Sequence, residues 1–289
     1  MQTIDLHELE KMRQLQLNIK RSLSSSEGAR RSSAKGRSAE FSGYREYIPG
    51  DDMRYVDWNA YARLDKLFIK EYMEEKEGRV NIYLDTSRSM EFGRKLKSTL
   101  MAEITEVISF TALSGRDAVY VTDLKNPAYT FRVPAGNTGI RILKKWLEDI
   151  KPDGSISIYS SLKKAIRSRG GLGFVISDFM DEGFLDSEED IIKLFGIRNI
   201  RPVFLQILSE EELEIEETGN FQFIDSESES KEVRLTLDNR TIRDYKKALD
   251  EYTKQIKSKA LSAGAGAVLC STGAPLSKII FEDLREYFI

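Results

Sequence analysis

From residue 79 onward the apolar positions alternate between two spacings. Arg79-Val-Asn-Ile-Tyr-Leu84, Ala118-Val-Tyr-Val-Thr122, Gly173-Phe-Val-Ile-Ser177, Pro202-Val-Phe-Leu-Gln-Ile207 and Ala267-Val-Leu-Cys270 are short runs rich in β-branched and aromatic residues. Runs this apolar predict strands buried on both faces, as in a parallel sheet. Between them the spacing becomes helical, over Lys95 to Leu113, Ile140 to Ile150, Glu188 to Phe195, Asp244 to Ala263 and Leu276 to Phe288. Tyr129 to Val133 predicts an edge strand beside 118–122. Strands alternating with helices imply an α/β fold, a mostly parallel sheet with helices on both faces.

Two stretches break this rhythm. Leu6, Leu9, Met12, Leu15 and Ile19 predict an amphipathic N-terminal helix, followed by a Ser/Arg-rich arm; Lys11 to Ser38 holds eight basic residues and one acid. With no interleaved aromatics, the arm reads as a mobile tail or packing element more readily than as a nucleic-acid or membrane site. Glu210 to Glu232 holds ten acids and one lysine, and Phe221–Ile224 and Val233–Thr236 predict a hairpin inside it. The domain reading is therefore 1–38 (helix and basic arm), 39–78 (a distinct segment), and 79–289 (the α/β domain) with an acidic insertion at about 209–236.

Composition narrows the functions available. The 289 residues are 40% hydrophobic and 31% charged, with a formal net charge of −3, an ordinary soluble profile that does not favour nucleic acid. Cys270 is the single cysteine, which excludes an intramolecular disulfide or a zinc knuckle, and its strand context predicts an inert core position. No apolar run reaches the roughly 18 residues of a membrane span, and no secretory leader is evident, so the expected location is the cytoplasm. The single histidine, His7, rules out His-based triads and HExxH zinc chemistry, and neither a Gly-x-x-x-x-Gly-Lys-Ser/Thr loop nor Gly-x-Gly-x-x-Gly is present.

Candidate chemistry gathers where strands become loops. Asp85-Thr-Ser-Arg-Ser89 follows the first strand, at the edge where open α/β sheets place ligands. It offers one carboxylate and two hydroxyls, hard donors suited to Mg²⁺ or Mn²⁺. Lys151 to Ser161 is a polar, Ser-rich loop leading to a helical pattern, with Ser160 at the expected N-cap. Gly173–Ser177 ends at Asp178. The bland alternative is that Ser160 only caps a helix and Asp178 only starts a turn.

This arrangement resembles the metal-ion-dependent adhesion site of von Willebrand factor A domains. The resemblance implies metal ligands Asp85, Ser87 and Ser89 from the first loop, a hydroxyl from the second and Asp178 from the third. Ile158-Tyr-Ser-Ser-Leu-Lys-Lys-Ala-Ile166 puts Ser160 at the second-loop position, where the family usually has Thr preceded by two glycines; here the glycines are missing, and Ser155 and Ser157 are alternatives. Upstream, Phe41-Ser-Gly-Tyr-Arg-Glu-Tyr-Ile-Pro-Gly-Asp-Asp-Met-Arg-Tyr-Val-Asp-Trp-Asn-Ala-Tyr-Ala-Arg63 resembles the signature of a bacterial and archaeal family, number fifty-eight among domains of unknown function. That family carries an A-type domain and often accompanies MoxR-type AAA+ ATPases. Physically, Pro49-Gly50-Asp51 predicts a turn and Asp57 a helix cap. Arg45, Arg54 and Arg63, interleaved with Asp51, Asp52 and Asp57, suit either a structural clamp of Arg–carboxylate pairs or a phosphate- or partner-binding surface.

The expectation is a non-enzymatic interaction module with a von Willebrand factor A-like fold and a Mg²⁺ or Mn²⁺ site. Ser87, Ser89 and Ser160 would touch the ion, and Asp85 and Asp178 would act directly or through water. By resemblance, its partner is a MoxR-type ATPase or a client of one. The rivals are a Mg²⁺-dependent phosphohydrolase or nucleotide-binding enzyme at the same edge, and a metal-free scaffold.

Overall fold

The computed structural model describes Leu17 and residues 39–74, 78–181, 183–215, 219–224 and 232–288. The chain divides into two compact units, one of residues 28–77 and one of residues 1–27 with 78–289. The expected N-terminal helix and basic arm lie outside the described residues apart from Leu17, which is buried and bridges to Phe288.

In the 28–77 unit, β1 (Ala39–Glu46) pairs antiparallel with β2 (Phe68–Glu74). The link between them turns at Pro49-Gly50, where Gly50 takes φ 106°, a left-handed conformation that glycine adopts without Cβ strain. A 3₁₀ turn (Met53–Tyr55) and α1 (Trp58–Leu64) follow. Asp57 caps α1, its Oδ1 accepting Asn59 N–H at 2.9 Å and Ala60 N–H at 3.2 Å. Its Oδ2 accepts the Tyr44 hydroxyl at 2.8 Å and pairs with Lys70 at 3.2 Å. The Tyr44 bond first, with the backbone donors and Lys70, lowers the Asp57 pKa to about 2. Arg45 forks onto Asp51 at 2.5 and 2.7 Å, and Arg54 engages Asp52 at 2.6 Å. Two of the three interleaved arginines thus have acid partners inside the unit, while the third acid, Asp57, serves Tyr44 and Lys70.

The larger unit is built on a six-stranded sheet. Its strands are β3 (Arg79–Leu84), β4 (Ala118–Asp123), β5 (Phe131–Arg132), β6 (Leu172–Ser177), β7 (Arg201–Leu208) and, last in chain order, β10 (Gly266–Ser271). Their spatial order is β10-β7-β6-β3-β4-β5, all parallel except the edge strand β5, which runs antiparallel to β4. This is a mostly parallel α/β sheet with Rossmann-like layering. The expected hairpin is present as β8 (Gly219–Ile224) and β9 (Glu232–Leu237).

Strand alternation creates two cores. Val80, Ile82 and Leu84 of β3, Phe174 and Ile176 of β6, and Val203, Leu205 and Ile207 of β7 point to one face. There they meet α2 (Lys97–Ser114) and α3 (Asn137–Asp149). Tyr83, Val175 and Phe204, at the intervening positions, point to the other. That face is covered by α4 (Ile158–Ala165), α5 (Phe184–Ile197) and α7 (Asn239–Ser262). The four-residue α6 (Glu210–Leu213) lies between β7 and β8. Nearly every residue from Lys97 to Ala112 is buried, so α2 has no polar face to reveal it as a surface helix. Cys270 is buried in β10, and burial pushes its thiol pKa up to about 12, as suits an inert core residue. Among the described residues no helix is long and apolar enough to cross a membrane.

Two local expectations are corrected. The N-cap of α4 is Ser157, not Ser160, which sits inside the first turn; apolar Ile158 and Leu162 turn into the core and start the helix earlier. The expected closing helix is broken into a single α turn (Leu276–Lys278), a π turn (Ile279–Asp283) and a 3₁₀ turn (Arg285–Tyr287). Ile279, Ile280, Leu284 and Tyr287 all enter the first core.

Glu188 of α5 is a strained spot in the second layer. It is wholly buried and neither carboxylate oxygen has a hydrogen-bond partner. The nearby cation, Lys259 of α7, instead donates to the Leu185 carbonyl at 2.6 Å. Burial first, with a smaller push from Glu189 and against the pull of Lys259, raises the Glu188 pKa from 4.5 to about 7. A group raised on folding stabilises the fold fully below its unfolded pKa and loses that contribution as pH climbs through the folded one. Stability should therefore fall between pH 4.5 and about 7 on account of Glu188. Glu188→Gln should flatten this part of the profile and raise stability at pH 8 by roughly 1–3 kcal/mol in urea unfolding; parallel wild-type and variant profiles would refute the assignment.

Candidate metal centre

The sheet order dictates where a site can form. From β3 the chain moves to β4 on one side, then returns to place β6 on the other. The loops leaving β3 and β6 therefore diverge to opposite faces and open a crevice at the carboxyl edge, the topological switch point. Asp85 follows β3 and Asp178 follows β6, so parallel pairing of these strands sets the two carboxylates side by side. The ladder continues past the strand ends, with Asp85 N–H donating to Ile176 O at 2.9 Å.

Each aspartate is held by its own turn. Asp85 Oδ1 accepts Ser87 N–H at 2.9 Å, and Oδ2 accepts the Ser177 hydroxyl at 2.5 Å. Ser177 in turn accepts Phe179 N–H at 2.9 Å. Asp178 Oδ1 accepts Met180 N–H at 3.0 Å, and its main-chain oxygen accepts Gln206 Nε2 at 3.2 Å. The Ser87 and Ser89 hydroxyls lie 3.0 Å apart. Asp85, Ser87 and Asp178 are buried and Ser89 half-buried. Burial raises the Asp85 pKa, and the neighbouring Asp178 carboxylate raises it further, against the hydrogen bonds from Ser177 and Ser87.

The resident positive charge is Lys97, the first residue of α2. Its Nζ donates to Asp178 Oδ2 at 2.8 Å and to Glu212 Oε1 of α6 at 2.8 Å. The Lys97 side chain is 1% exposed and that of Asp178 is 4% exposed, so this is a desolvated ion pair. Burial works against the ammonium, but Asp178 and Glu212 outweigh it and its pKa lies above the ordinary lysine value. Removing one partner of such a pair costs about 3–5 kcal/mol.

Backbone bonds lock the surrounding loops together. Arg88 N–H donates to Gly154 O at 2.8 Å, and Asp153 N–H to Thr86 O at 3.0 Å. Ile158 N–H donates to Asp181 Oδ2 at 2.9 Å, joining the start of α4 to the loop after β6. Thr86 Oγ1 donates to Asp123 Oδ1 at 2.6 Å, which ties in the end of β4. Four of the five sequence-predicted residues, Asp85, Ser87, Ser89 and Asp178, thus gather at one crevice. Ser160 is exposed on the first turn of α4, and none of these bonds reaches it; Ser155 and Ser157 are exposed as well.

Lys97, Ser177 and Glu212 escaped the reading of the sequence. Lys97 did leave a signal: a lysine opening a helix opposes the macrodipole, and in an apolar helix such a cation needs a carboxylate nearby. Ser177 reads as a strand residue and Glu212 as one of many acids.

Among the described residues no three histidine, cysteine, aspartate or glutamate side chains converge into a metal-binding group. An ion here would lean on serine hydroxyls and water besides the aspartates, which suits Mg²⁺ and not zinc. Asp178 and Glu212 share the Lys97 ammonium, while Asp85 stands beside Asp178.

Fold and crevice together define an open, doubly wound α/β protein with an acidic, hydroxyl-rich switch point. The chain belongs to the family described as "Protein of unknown function DUF58", whose model matches residues 43–255. It is also similar to an uncharacterized protein of Mycobacterium bovis and one of Mycobacterium tuberculosis, each 25% identical over 64% of this chain. The matched region spans 59% of the length of those relatives.

Ser177 is bonded both to Asp85 and to the loop carrying Asp178. Ser177→Ala should cost about 1–2 kcal/mol in chemical denaturation, because it leaves a buried carboxylate oxygen and the Phe179 N–H each short of a partner. A loss under a few tenths would mean that Ser177 does not hold Asp85.

Proposed function

We propose that this protein is a non-enzymatic interaction module whose switch-point crevice takes a divalent cation, in the manner of a von Willebrand factor A domain. The observation that carries the reading is the burial of Asp85 beside Asp178 at the carboxyl edge of adjacent parallel strands, with the Ser87–Ser89 hydroxyl pair. Two carboxylates in a low-dielectric crevice repel each other unless a proton or a cation intervenes. Asp85, Ser87, Ser89 and Asp178 would hold Mg²⁺ or Mn²⁺, and Ser160, or Ser155 or Ser157 in its stead, would complete the set from the second loop. A bound Mg²⁺ supplies a hard Lewis-acidic position that an external carboxylate can share.

The protein's own residues do the rest. Ser177 and the Ser87 N–H orient Asp85; Met180 N–H orients Asp178; the Thr86–Asp153 and Arg88–Gly154 bonds hold the loops at fixed separation. Phe92 and Met180 follow the first and third loops and are exposed, which supplies apolar rim for a protein surface. By the resemblance noted in the sequence, the partner would be a MoxR-type AAA+ ATPase or a protein that such an ATPase remodels. A metal-free scaffold is the second reading, favoured by Lys97, which already neutralises Asp178.

Asp85→Ala should abolish cation-dependent association with the MoxR-type ATPase of the same organism and leave the far-ultraviolet circular dichroism spectrum unchanged. The variant is needed beside a chelator control, because a chelator also strips the ATPase of its nucleotide-bound ion. Equal binding by wild type and variant in Mg²⁺ would sink the interaction role of the site. Absence of any Mg²⁺ or Mn²⁺ heat in calorimetry would favour the scaffold.

A further inference from the structure

We infer that Lys97 is a tethered counter-ion of the crevice, which a divalent cation must displace from Asp178, and that Glu212 is the carboxylate that receives it. This rests on the cation reading above and adds to it a competitor built into the chain.

Three observations carry it. The Lys97 ammonium bridges Asp178 and Glu212 at the same distance, 2.8 Å to each, so it lies between the candidate ligand and a second acid outside the candidate set. The Glu212 side chain is 19% exposed against 4% for Asp178, so Glu212 pairs with Lys97 at the solvent-facing end of the crevice. Glu212 is also fixed in place. It forms a capping box with Ser209, its Oε2 accepting Ser209 N–H at 2.7 Å and its own N–H donating to Ser209 Oγ at 3.1 Å.

The seat of α6 is tight. Gly93 has φ 96°, and a Cβ there would stand 2.8 Å from Ser209 Cβ. Glu211 Oε1 accepts Arg94 N–H at 3.1 Å. The loop between Ser89 and Lys97 and the root of the acidic insertion are therefore one packed unit, and a change in the Lys97 pairing bears directly on that root.

Charge dictates the competition. A cation bound at Asp178 repels an ammonium in the same place, and Lys97 lowers the affinity of the crevice for cations as long as it stays there. A second carboxylate within reach lessens the cost of leaving, since the ammonium keeps a partner. Ions then enter at the expense of one hydrogen bond and not of a bare buried charge.

The test titrates Mg²⁺, and Mn²⁺ in parallel, into the full-length chain by calorimetry, with thermal melts with and without the ion. Lys97→Met should bind at least about tenfold more tightly than wild type. Its melting temperature should drop without ions and recover with Mg²⁺, whereas that of wild type should move little. Glu212→Gln, at a less buried position, should fold and should bind several-fold more weakly than wild type. In the Lys97→Met background the same Glu212 change should weaken binding less, because no ammonium needs a second partner.

Equal affinities of wild type and Lys97→Met would overturn the competition and leave the cation site standing. Equal losses from Glu212→Gln in both backgrounds would make Glu212 a mere distant charge and overturn the transfer. If neither wild type nor variant binds either ion, the cation reading itself falls and takes this inference with it. Should Lys97→Met fail to fold, the Glu212→Gln affinity still decides, since an unchanged value contradicts the role given to Lys97.

Discussion

Everything distinctive about the larger unit follows from setting Asp85 beside Asp178 out of water. Like charges in a medium of low dielectric cost far more than on a surface, and the protein meets that cost with several devices at once. Hydrogen bonds from Ser87, Ser177 and Met180 reach both carboxylates, and Lys97 brings an ammonium to one of them. The Asp85 pKa remains raised by its burial and by Asp178 even so. A fold selected only for stability gains nothing from such a pair, because apolar residues of the same volume serve a core as well or better.

The sheet makes this juxtaposition unavoidable. Parallel pairing of β3 with β6 matches Leu84 to Ile176, and the chain beyond each pair enters the crevice within two residues. The crossover through α2, β4, β5, α3 and α4 brings β6 back to the free side of β3, and this reversal keeps the crevice open. The loops that carry Asp85 and Asp178 therefore rest on the two most central strands. Their positions inherit the rigidity of Ile82, Leu84, Phe174 and Ile176, all fully buried.

What the sequence disclosed follows the same physics. The five parallel strands of the main sheet were legible, because burial on both faces forces near-continuous apolar runs, and the edge strand, expected over 129–133, is the two-residue β5. Asp85, Ser87, Ser89 and Asp178 stood at strand ends and could be found by position alone. Helix ends were less legible. Ser157 replaced Ser160 as the cap of α4 because tertiary burial of Ile158 outweighed the local capping preference, and the C-terminal helix divides into three short turns although its apolar spacing is that of one helix. Lys97 and Glu212 were illegible for a deeper reason. They are separated by 115 residues, and the pairing of an isolated lysine with one glutamate in an acidic stretch leaves no periodicity to read.

The contrast between Glu188 and Glu106 indicates how selectively the protein tolerates buried acids. Glu106 of α2 is buried with Lys144 of α3 at 3.9 Å, a conventional interhelical partner. Glu188 has Lys259 nearby, yet that ammonium serves a backbone carbonyl, so the carboxyl gains from holding its proton. Asp178 belongs to neither kind: its partner is complete, buried and shared with a second acid. A cation shared between two carboxylates is bistable in a way that a two-membered pair is not, since displacement from one side leaves the other intact. On the function proposed above, bistability of this sort, located at the joint between the loop after β3 and the acidic insertion, would let occupancy of the crevice be felt at the surface.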